Sequence, residues 1–266
     1  MASKLNASFI LICGDVTYDN GFPSCYNRWD RFFRMYETTA VSNDGHMIPL
    51  LTCIGNHEAM YSKFNMPRTQ VVPYLLYLSH RVNETVDLNR STYHMHELGA
   101  NHTSLMILDS SVIVPHDEQV DFIDKEWVRA NSNPNKLVAY HAPLYPSYRD
   151  FYLHLSVKGR YYWEPLFNKH KISVCMEHHD HSFKRSVVIN NGTSVSNSDG
   201  IVYVGDGAMG VTVRSSAKKK WWIATNYSKT HVWLMRSRAQ VNGGGVVMDA
   251  YDTSMNIFDS VTHVRA

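Results

Sequence analysis

The stretch FILICGDVTY, residues 9–18, joins a short apolar run to a polar loop, and an amphipathic segment follows at residues 26–39. This order predicts a strand, a loop and then a helix. The same order recurs further along the chain. The other predicted strands are residues 49–55, 136–141 and 172–178, and the other predicted helices are residues 71–79, 117–130 and 162–170. Helices between such strands predict an α/β sheet.

The pattern changes after residue 183, where short apolar runs are broken by turns rich in Gly, Asn and Asp. The predicted strands of this part are residues 183–189, 201–204, 231–236 and 246–251. Runs of this kind predict that the last third of the chain is mostly antiparallel β. No internal repeat, low-complexity linker or domain boundary interrupts the sequence, so residues 1–266 are expected to form a single catalytic domain.

The composition, with 44% hydrophobic and 19% charged residues, is that of a globular chain and excludes disorder, collagen and coiled coil. The 26 basic residues nearly balance the 24 acidic ones, so charge gives no reason to expect a nucleic-acid or membrane-surface partner. The apolar run at residues 8–13 is too short for a membrane span and lacks the flanks of a signal peptide. We therefore expect neither a nucleic acid nor a membrane as partner.

The cysteines and the glycosylation sequons are the features that could indicate the cellular compartment of the protein. No CxxC pair is present and most of the cysteines lie in apolar runs, so the sequence supports neither a zinc knuckle nor a disulfide framework. The cysteines are Cys13, Cys25, Cys53 and Cys175. Asn-x-Ser/Thr sequons favour a glycosylated, secreted origin, with accident in a chain rich in Asn, Ser and Thr as the alternative. They begin at Asn6, Asn83, Asn89, Asn101, Asn191 and Asn226.

Residues that can bind metal follow four of the predicted strands: GDVTY at 14–18, GNHE at 55–58, His141, and HHDH at 178–181. Because active sites in α/β folds form at the carboxyl ends of strands, we expect these residues to lie close together. Taken singly, each motif could be an ordinary turn, a structural histidine whose ring nitrogens are hydrogen-bonded, or an exposed polar stretch. Together they offer a mixed N/O donor set that suits a pair of transition-metal ions bridged by a shared carboxylate.

These motifs resemble the signature of the calcineurin-like metallophosphoesterase superfamily, which runs DxG, GDxxY, GNH(E/D), VxxH and GHxH. GDVTY, GNHE and VAYH at 138–141 match outright, and HHDH keeps both imidazoles of the last motif with His178 in place of its Gly. Within the superfamily, Tyr18 makes the chain look like a purple acid phosphatase. The resemblance covers about residues 8–260 and implies an α/β fold, a β-sandwich flanked by helices in α-β-β-α layers.

The resemblance also implies a dinuclear metal centre in which Asp15 bridges the two ions. Tyr18 and His181 would complete the site of the first ion, Fe(III), which tyrosinate binds well. The ligands of the second ion, which is Zn, Mn or divalent Fe, would be Asn56, His141 and His179. Two ions held in this way would neutralise phosphate oxygens and acidify a water, so that hydroxide attacks the phosphorus.

Beside this centre, the resemblance assigns His57 to holding the phosphate or protonating the leaving group, with Glu58 orienting it through a hydrogen bond. Family members carry further imidazoles just after the VxxH motif. Here Arg149 and His154 are the candidate substrate-binding residues of that stretch. Arg149 suits the task because its fork matches phosphate oxygens, and an exposed loop residue without a role is the equal alternative.

One motif of the family, DxG, has no counterpart ahead of residue 14. The strand that precedes this motif in the family has no counterpart there either. We therefore expect an N-terminally truncated chain. Without the Asp of that motif the first ion would keep only Asp15, Tyr18 and His181. The second site should then bind metal more tightly, and Fe(III) should lose more affinity than a divalent ion.

The sequence thus predicts an acid phosphatase that hydrolyses small phosphate monoesters with metal-activated hydroxide, in a secreted or lysosomal/vacuolar protein. Two alternatives stay open. The missing motif motivates a non-catalytic or weakly active phosphate-binding relative. A phosphodiesterase of the same superfamily would carry the same motifs.

Overall fold

The first predicted strand, loop and helix form a β-α-β unit. In this unit β1 (Ile10–Cys13) and β2 (Leu50–Cys53) are parallel neighbours, connected through α1 (Asn27–Thr39). The computed structural model describes residues 2–80, 85–100, 102–196, 198–205, 207–215, 219–238, 245–263 and 265. The parallel pairing brings the loops that follow β1 and β2 to the same edge, as the predicted strand ends require.

The helix α1 forms because its large apolar residues recur at helical spacing. Trp29, Phe33 and Tyr36 share one face, on which Trp29 and Tyr36 are buried. The short helix α2 (Val72–Tyr77) packs into the same apolar cluster as Trp29, together with Ile54 from the end of β2. This cluster supports the loop that follows β2.

The remaining strands follow in chain order. They are β3 (His94–Leu98), β4 (Thr103–Ile107), β5 (Asn135–Ala139), β6 (Val174–Glu177), β7 (Phe183–Ser186), β8 (Ile189–Asn190), β9 (Thr193–Ser194), β10 (Val202–Gly205), β11 (Ile223–Tyr227), β12 (Val232–Arg238), β13 (Gly245–Tyr251) and β14 (Ile257–His263). Seven of them form one sheet in the order β11-β7-β10-β6-β5-β4-β3. Its four middle strands, β10, β6, β5 and β4, are parallel, and the outer strands are antiparallel.

The seven-stranded sheet packs against a second layer made of β1, β2 and the antiparallel strands β12, β13 and β14. Alternation along each strand divides the side chains between the two faces. Leu105 and Ile107 of β4 point into the core between the layers with Cys13 and Met248, whereas Met106 packs on the opposite face. The antiparallel last third and the α/β sandwich are therefore as predicted.

Helices cover the opposite face of the seven-stranded sheet. They are α3 (Val120–Arg129), α4 (His154–Tyr162) and α5 (Glu164–Lys169), and Trp127 and Trp163 anchor the layer in the core. The predicted helix at 162–170 corresponds to α5, because the buried Trp163 separates it from α4. Among the described residues, no helix is both long and apolar enough to cross a membrane.

Candidate metal centre

The loops after β1, β2, β5 and β6 bring four predicted ligands to one point beneath the surface. These are Asp15, Asn56, His141 and His179. One ligand atom from each of Asp15, His141 and His179 lies within 4.8 Å of the other two. The predicted convergence at the carboxyl ends of the strands is thus present in the structure.

His141 lies at the middle of this group, and the backbone sets its tautomer. Its Nδ1 lies 2.8 Å from the carbonyl oxygen of Cys13. A carbonyl only accepts hydrogen bonds, so Nδ1 carries the proton and a neutral ring presents a lone pair at Nε2. A hydrogen bond from the ring nitrogen that does not bind metal to a backbone carbonyl is typical of histidine ligands in metal sites and orients the ring.

Two oxygens and one imidazole nitrogen surround His141 Nε2. They are Asn56 Oδ1 at 3.2 Å, Asp15 Oδ2 at 3.3 Å and His179 Nδ1 at 3.0 Å. The Asn56 amide nitrogen is turned away and donates to the carbonyl of Ser62, while the buried Asp15 Oδ2 receives no hydrogen bond among the described residues. Two buried oxygens beside two imidazole nitrogens, one of the oxygens without a hydrogen bond, fit a cation, and an N/O set of this kind fits a transition metal.

The charges of the metal-free site agree with that fit. Burial disfavours the charged form of His141, yet the adjacent Asp15 carboxylate outweighs it and raises the pKa of His141. Conversely, burial would raise the pKa of Asp15, and His141 holds it below its usual range. A proton on His141 Nε2 therefore supplies the positive charge beside the Asp15 and Asn56 oxygens when no ion is bound.

Two further predicted ligands form the outer part of the site. The Tyr18 hydroxyl lies 3.3 Å from His181 Nε2, and both side chains are half-buried. Burial, with Asp15 nearby, raises the pKa of the Tyr18 phenol. Burial and the positive charge of Arg214 lower the pKa of His181 to about 4. The free imidazole is thus neutral and available as a ligand above acidic pH.

The backbone at the site is held in an unusual conformation. Four of the six predicted ligands, Asp15, Tyr18, His179 and His181, have positive φ. Such strain in residues other than glycine is typical of functional sites. His178, which stands where the family has Gly, lies outside the positive-φ region, and its amide donates to the His141 carbonyl.

Two glycines allow the loops to approach each other. A Cβ on Gly14, whose φ is +87°, would lie 2.6 Å from the Cα of Gly55 and 2.6 Å from His141 Nδ1. A Cβ on Gly55 would lie 2.4 Å from the Asp15 nitrogen. Both positions therefore require glycine, because any side chain would push the ligand loops apart.

Glu58 has a contact different from the predicted one. Its fully buried carboxylate accepts backbone N–H bonds from Gly55 at 2.7 Å, Asp15 at 2.8 Å and Val16 at 2.7 Å. Burial, together with the charge of Asp15, raises the pKa of Glu58 to about 8. Rather than orienting His57, Glu58 ties the loop after β1 to the loop after β2.

His57 is oriented instead by Asn20 and Ser62. Its Nδ1 lies 2.7 Å from Asn20 Oδ1 and 2.8 Å from Ser62 Oγ, and the Ser62 hydroxyl donates to the same Asn20 oxygen at 2.9 Å. The other ring nitrogen, Nε2, is the one that can serve a substrate. Asn20 and Ser62 were not predicted, since neither belongs to a motif and only the loop geometry brings them to His57.

The two predicted substrate-binding residues, Arg149 and His154, do not line the cavity at the site. Arg149 donates from Nη1 to Asp180 Oδ1 and to the His179 carbonyl oxygen, both at 2.6 Å, so it fastens the last ligand loop. His154 is exposed at the first residue of α4. Among the described residues that line the cavity at the site, neither of them is present.

That cavity has a volume of about 1130 Å³ and opens beside the outer ligands. Its described lining comprises Tyr18, His57, His181, Gly210, Val211, Thr212, Arg214 and Thr230. The arginine of this lining, Arg214, was not predicted. The family-like sequence Val-Gly-Asp-Gly stands at 204–207, and the signal that could have found Arg214 was a basic residue a few positions after it.

Comparison with known proteins agrees with this site. Residues 1–183 match the family model described as calcineurin-like phosphoesterase. The chain belongs to this family. Purple acid phosphatase 1 of Ipomoea batatas is 26% identical over 219 residues, which cover 74% of this chain and 43% of that protein. The resemblance to purple acid phosphatases within the superfamily is therefore confirmed.

Solved structures share the fold of this chain. Purple acid phosphatase PPD1 from yellow lupin (Lupinus luteus) seeds superposes with a TM-score of 0.77 at 19% identity, over 99% of this chain and 47% of that chain. GAP50, the anchor in the inner membrane complex of Plasmodium, superposes with a TM-score of 0.66 at 13% identity, over 100% of this chain and 81% of that chain. The chain thus spans less than half of the two purple acid phosphatases, and the predicted metallophosphoesterase fold is confirmed.

Proposed function

We propose that this chain is a single catalytic domain that hydrolyses phosphate monoesters at acidic pH with a dinuclear metal centre. The observation that supports it most is the buried set of two oxygens and one imidazole nitrogen around His141 Nε2, which includes the otherwise unpartnered Asp15 Oδ2. Membership of the phosphoesterase family and similarity to a purple acid phosphatase support the reaction class.

The ligands would divide between two ion sites, and Asp15 would contribute to both. Asn56, His141 and His179 would hold a divalent ion, Zn, Mn or Fe. Tyr18 and His181, with a phenol oxygen and an imidazole, would hold Fe(III). When bound, the ions supply Lewis acidity that neutralises phosphate oxygens and acidifies water.

The chain's own residues provide the proton chemistry and the positioning. His57 lines the cavity with Nδ1 engaged by Asn20, so Nε2 holds a phosphate oxygen or carries the proton for the departing alkoxide. Glu58 holds the loop after β1 against the loop after β2 by accepting three backbone N–H bonds. Arg149 keeps His179 in place through its carbonyl.

The compartment is proposed from the sequons. Asn6, Asn89 and Asn191 are exposed, so these three could carry glycans, and Asn226 is half-buried. Asn83 and Asn101 lie outside the described residues. All four cysteines are free in the structure. We propose a glycosylated protein that is secreted or lysosomal/vacuolar.

The test is hydrolysis of an aryl phosphate by the full chain loaded with iron and zinc, from pH 4 to pH 8, with metal content measured on the same samples. Turnover of the monoester that exceeds turnover of bis-aryl phosphate, with about two ions per chain, supports the proposal. Faster diester turnover would point to a phosphodiesterase. Two bound ions without turnover of either ester would point to a phosphate-binding relative.

The assignment of Fe(III) has its own test. The visible absorption of Tyr18 bound to Fe(III) should disappear in Tyr18→Phe, while Tyr26→Phe, which removes an exposed tyrosine of the same chain, should leave it unchanged. A colour that survives in Tyr18→Phe would show that another residue binds the iron.

A further inference from the structure

Two arginines stand near the metal centre, and their contacts differ. Arg149 is engaged, because its Nη1 donates to Asp180 and to the His179 carbonyl oxygen. The guanidinium of Arg214 lies over the ring of Tyr148, 5.3 Å from the ring centroid, and makes no ion pair within the described part of the chain. Of the two, Arg214 is the one whose charge is available to a ligand.

Arg214 is also held in place relative to the ligands. Its backbone N–H donates to the carbonyl of His181 at 2.9 Å. Its stacking partner Tyr148 is tied through its own N–H to Asp180 Oδ2 at 2.8 Å. The guanidinium is therefore positioned from two sides by the same loop that carries His179 and His181, and little ordering is needed when a ligand binds.

Arg214 lines the cavity together with Tyr18, His57 and His181. Among the described residues that line the cavity with it, none is acidic. An anion in this cavity would thus meet one full positive charge from the protein and no repelling carboxylate from the described lining.

We propose that Arg214 binds the terminal oxygens of the substrate phosphate and makes the site prefer a monoester over a diester, most of all near neutral pH, where the monoester is a dianion. The inference rests on the proposed function, since it concerns the substrate of the same cavity. A guanidinium fork matches two phosphate oxygens, and the attraction grows with the charge of the anion. A diester offers one terminal oxygen and one negative charge fewer, so it gains less from Arg214.

The test measures binding rather than turnover. Inorganic phosphate and dimethyl phosphate, a diester that serves as the monoanionic probe, are titrated into the metal-loaded full chain by calorimetry at pH 8, where inorganic phosphate is a dianion. The variants are Arg214→Gln, Arg214→Lys and the control Arg129→Gln, which removes an exposed arginine that pairs with Glu97 and Glu126. Metal content is measured on each sample, so that a loss of ions cannot imitate a loss of phosphate affinity.

Arg214→Gln should weaken binding of inorganic phosphate by about 10-fold or more and binding of dimethyl phosphate by less, because a charge-assisted pair is lost. Arg214→Lys should bind phosphate with intermediate affinity, since it keeps the charge without the fork. Arg129→Gln should behave like the unaltered chain.

Two results would overturn the inference: equal phosphate affinity in Arg214→Gln and the unaltered chain, or equal losses for the two anions. The proposed function fails separately. The unaltered chain could show no turnover while Arg214→Gln weakens the binding of inorganic phosphate more than that of dimethyl phosphate. In that case the hydrolase proposal is wrong and the anion site at Arg214 is supported.

Discussion

The inner and outer parts of the metal centre are built differently, although both consist of side chains from the same strand ends. In the inner part, His141 and Asn56 are buried. The Nδ1 of His141 donates to the Cys13 carbonyl, and the Nδ2 of Asn56 donates to the Ser62 carbonyl. In the outer part, Tyr18 and His181 are half-buried and contact each other at the edge of the cavity. The inner part is organised before a ligand arrives, and the outer part faces the substrate.

This difference has a physical origin in the parallel sheet. The inner ligands follow β2 and β5 almost directly, so they inherit the rigidity of the strands. Tyr18 and His181 lie further along the loops that carry Asp15 and His179, and the loop that carries Arg214 adjoins His181. Rigid positions suit tight metal binding, and positions at a cavity wall suit contact with substrate.

The largest expected effect is loss of the inner ion in His141→Ala. The variant leaves Asp15 and Asn56 oxygens without the nitrogen at the middle of the group, so affinity for the inner ion should fall more than about 100-fold. Metal analysis after dialysis measures it. Tyr18→Phe is the matched variant of the outer part and should keep the inner ion. If both variants lose the same ion, the division into two parts is wrong.

A substitution that should weaken both parts at once is Glu58→Gln. Its amide nitrogen would face a backbone N–H of Gly55, Asp15 or Val16, so the free energy of unfolding should fall by about 2 kcal/mol. Chemical denaturation of the metal-free chain measures this, and both ions should bind more weakly. Glu37→Gln, on an exposed position of α1, is the control and should change little. Normal stability of Glu58→Gln would show that the three N–H bonds do not hold the loops.

The two parts should respond to pH with opposite sign in the metal-free chain. The folded pKa of His141 is raised above 6.5, so its contribution to stability is present below pH 6.5 and is lost as pH rises through the folded value. The folded pKa of His181 is lowered to about 4, so its contribution is present above pH 6.5 and is lost as pH falls towards 4.

Denaturation of the unaltered chain, His141→Asn and His181→Asn between pH 4 and pH 9 measures these contributions. The stability difference from His141→Asn should shrink on the alkaline side, and the difference from His181→Asn should shrink on the acidic side. Differences that shrink on the same side would mean that the two imidazoles share one environment, against the contrast between the parts.

The smallest effect is expected at His154, which is exposed on α4. His154→Ala should leave kcat/KM for an aryl phosphate within about twofold of the unaltered value. Arg149→Gln is the comparison, because it leaves the fully buried Asp180 without its ion pair and should displace His179. A large loss in His154→Ala would place that residue in contact with substrate and reopen its predicted role.

Much of the candidate site was predictable because each ligand directly follows a strand. The four motifs placed Asp15, Asn56, His141 and His179 together before any contact was known. The predictions for Glu58 and Arg149 named residues that do stand at the site, but with different partners, since hydrogen bonding depends on which backbone groups lie nearby. In the fold, β3, β4, β9, β11, β14 and α4 are absent from the predicted elements. The buried run of β4 belongs to a hairpin whose partner β3 carries His94 and His96 rather than an apolar pattern.

The amino-acid sequence by itself determined the α/β character, the antiparallel last third and the donor set, because strand periodicity and ligand chemistry are properties of the residues in order along the chain. Only the tertiary structure decided that Cys13 sets the His141 tautomer, that Asn20 orients His57 and that Arg214, not Arg149, is available to an anion. The reason is physical: these contacts join residues distant in the chain, and their geometry follows from how the layers pack.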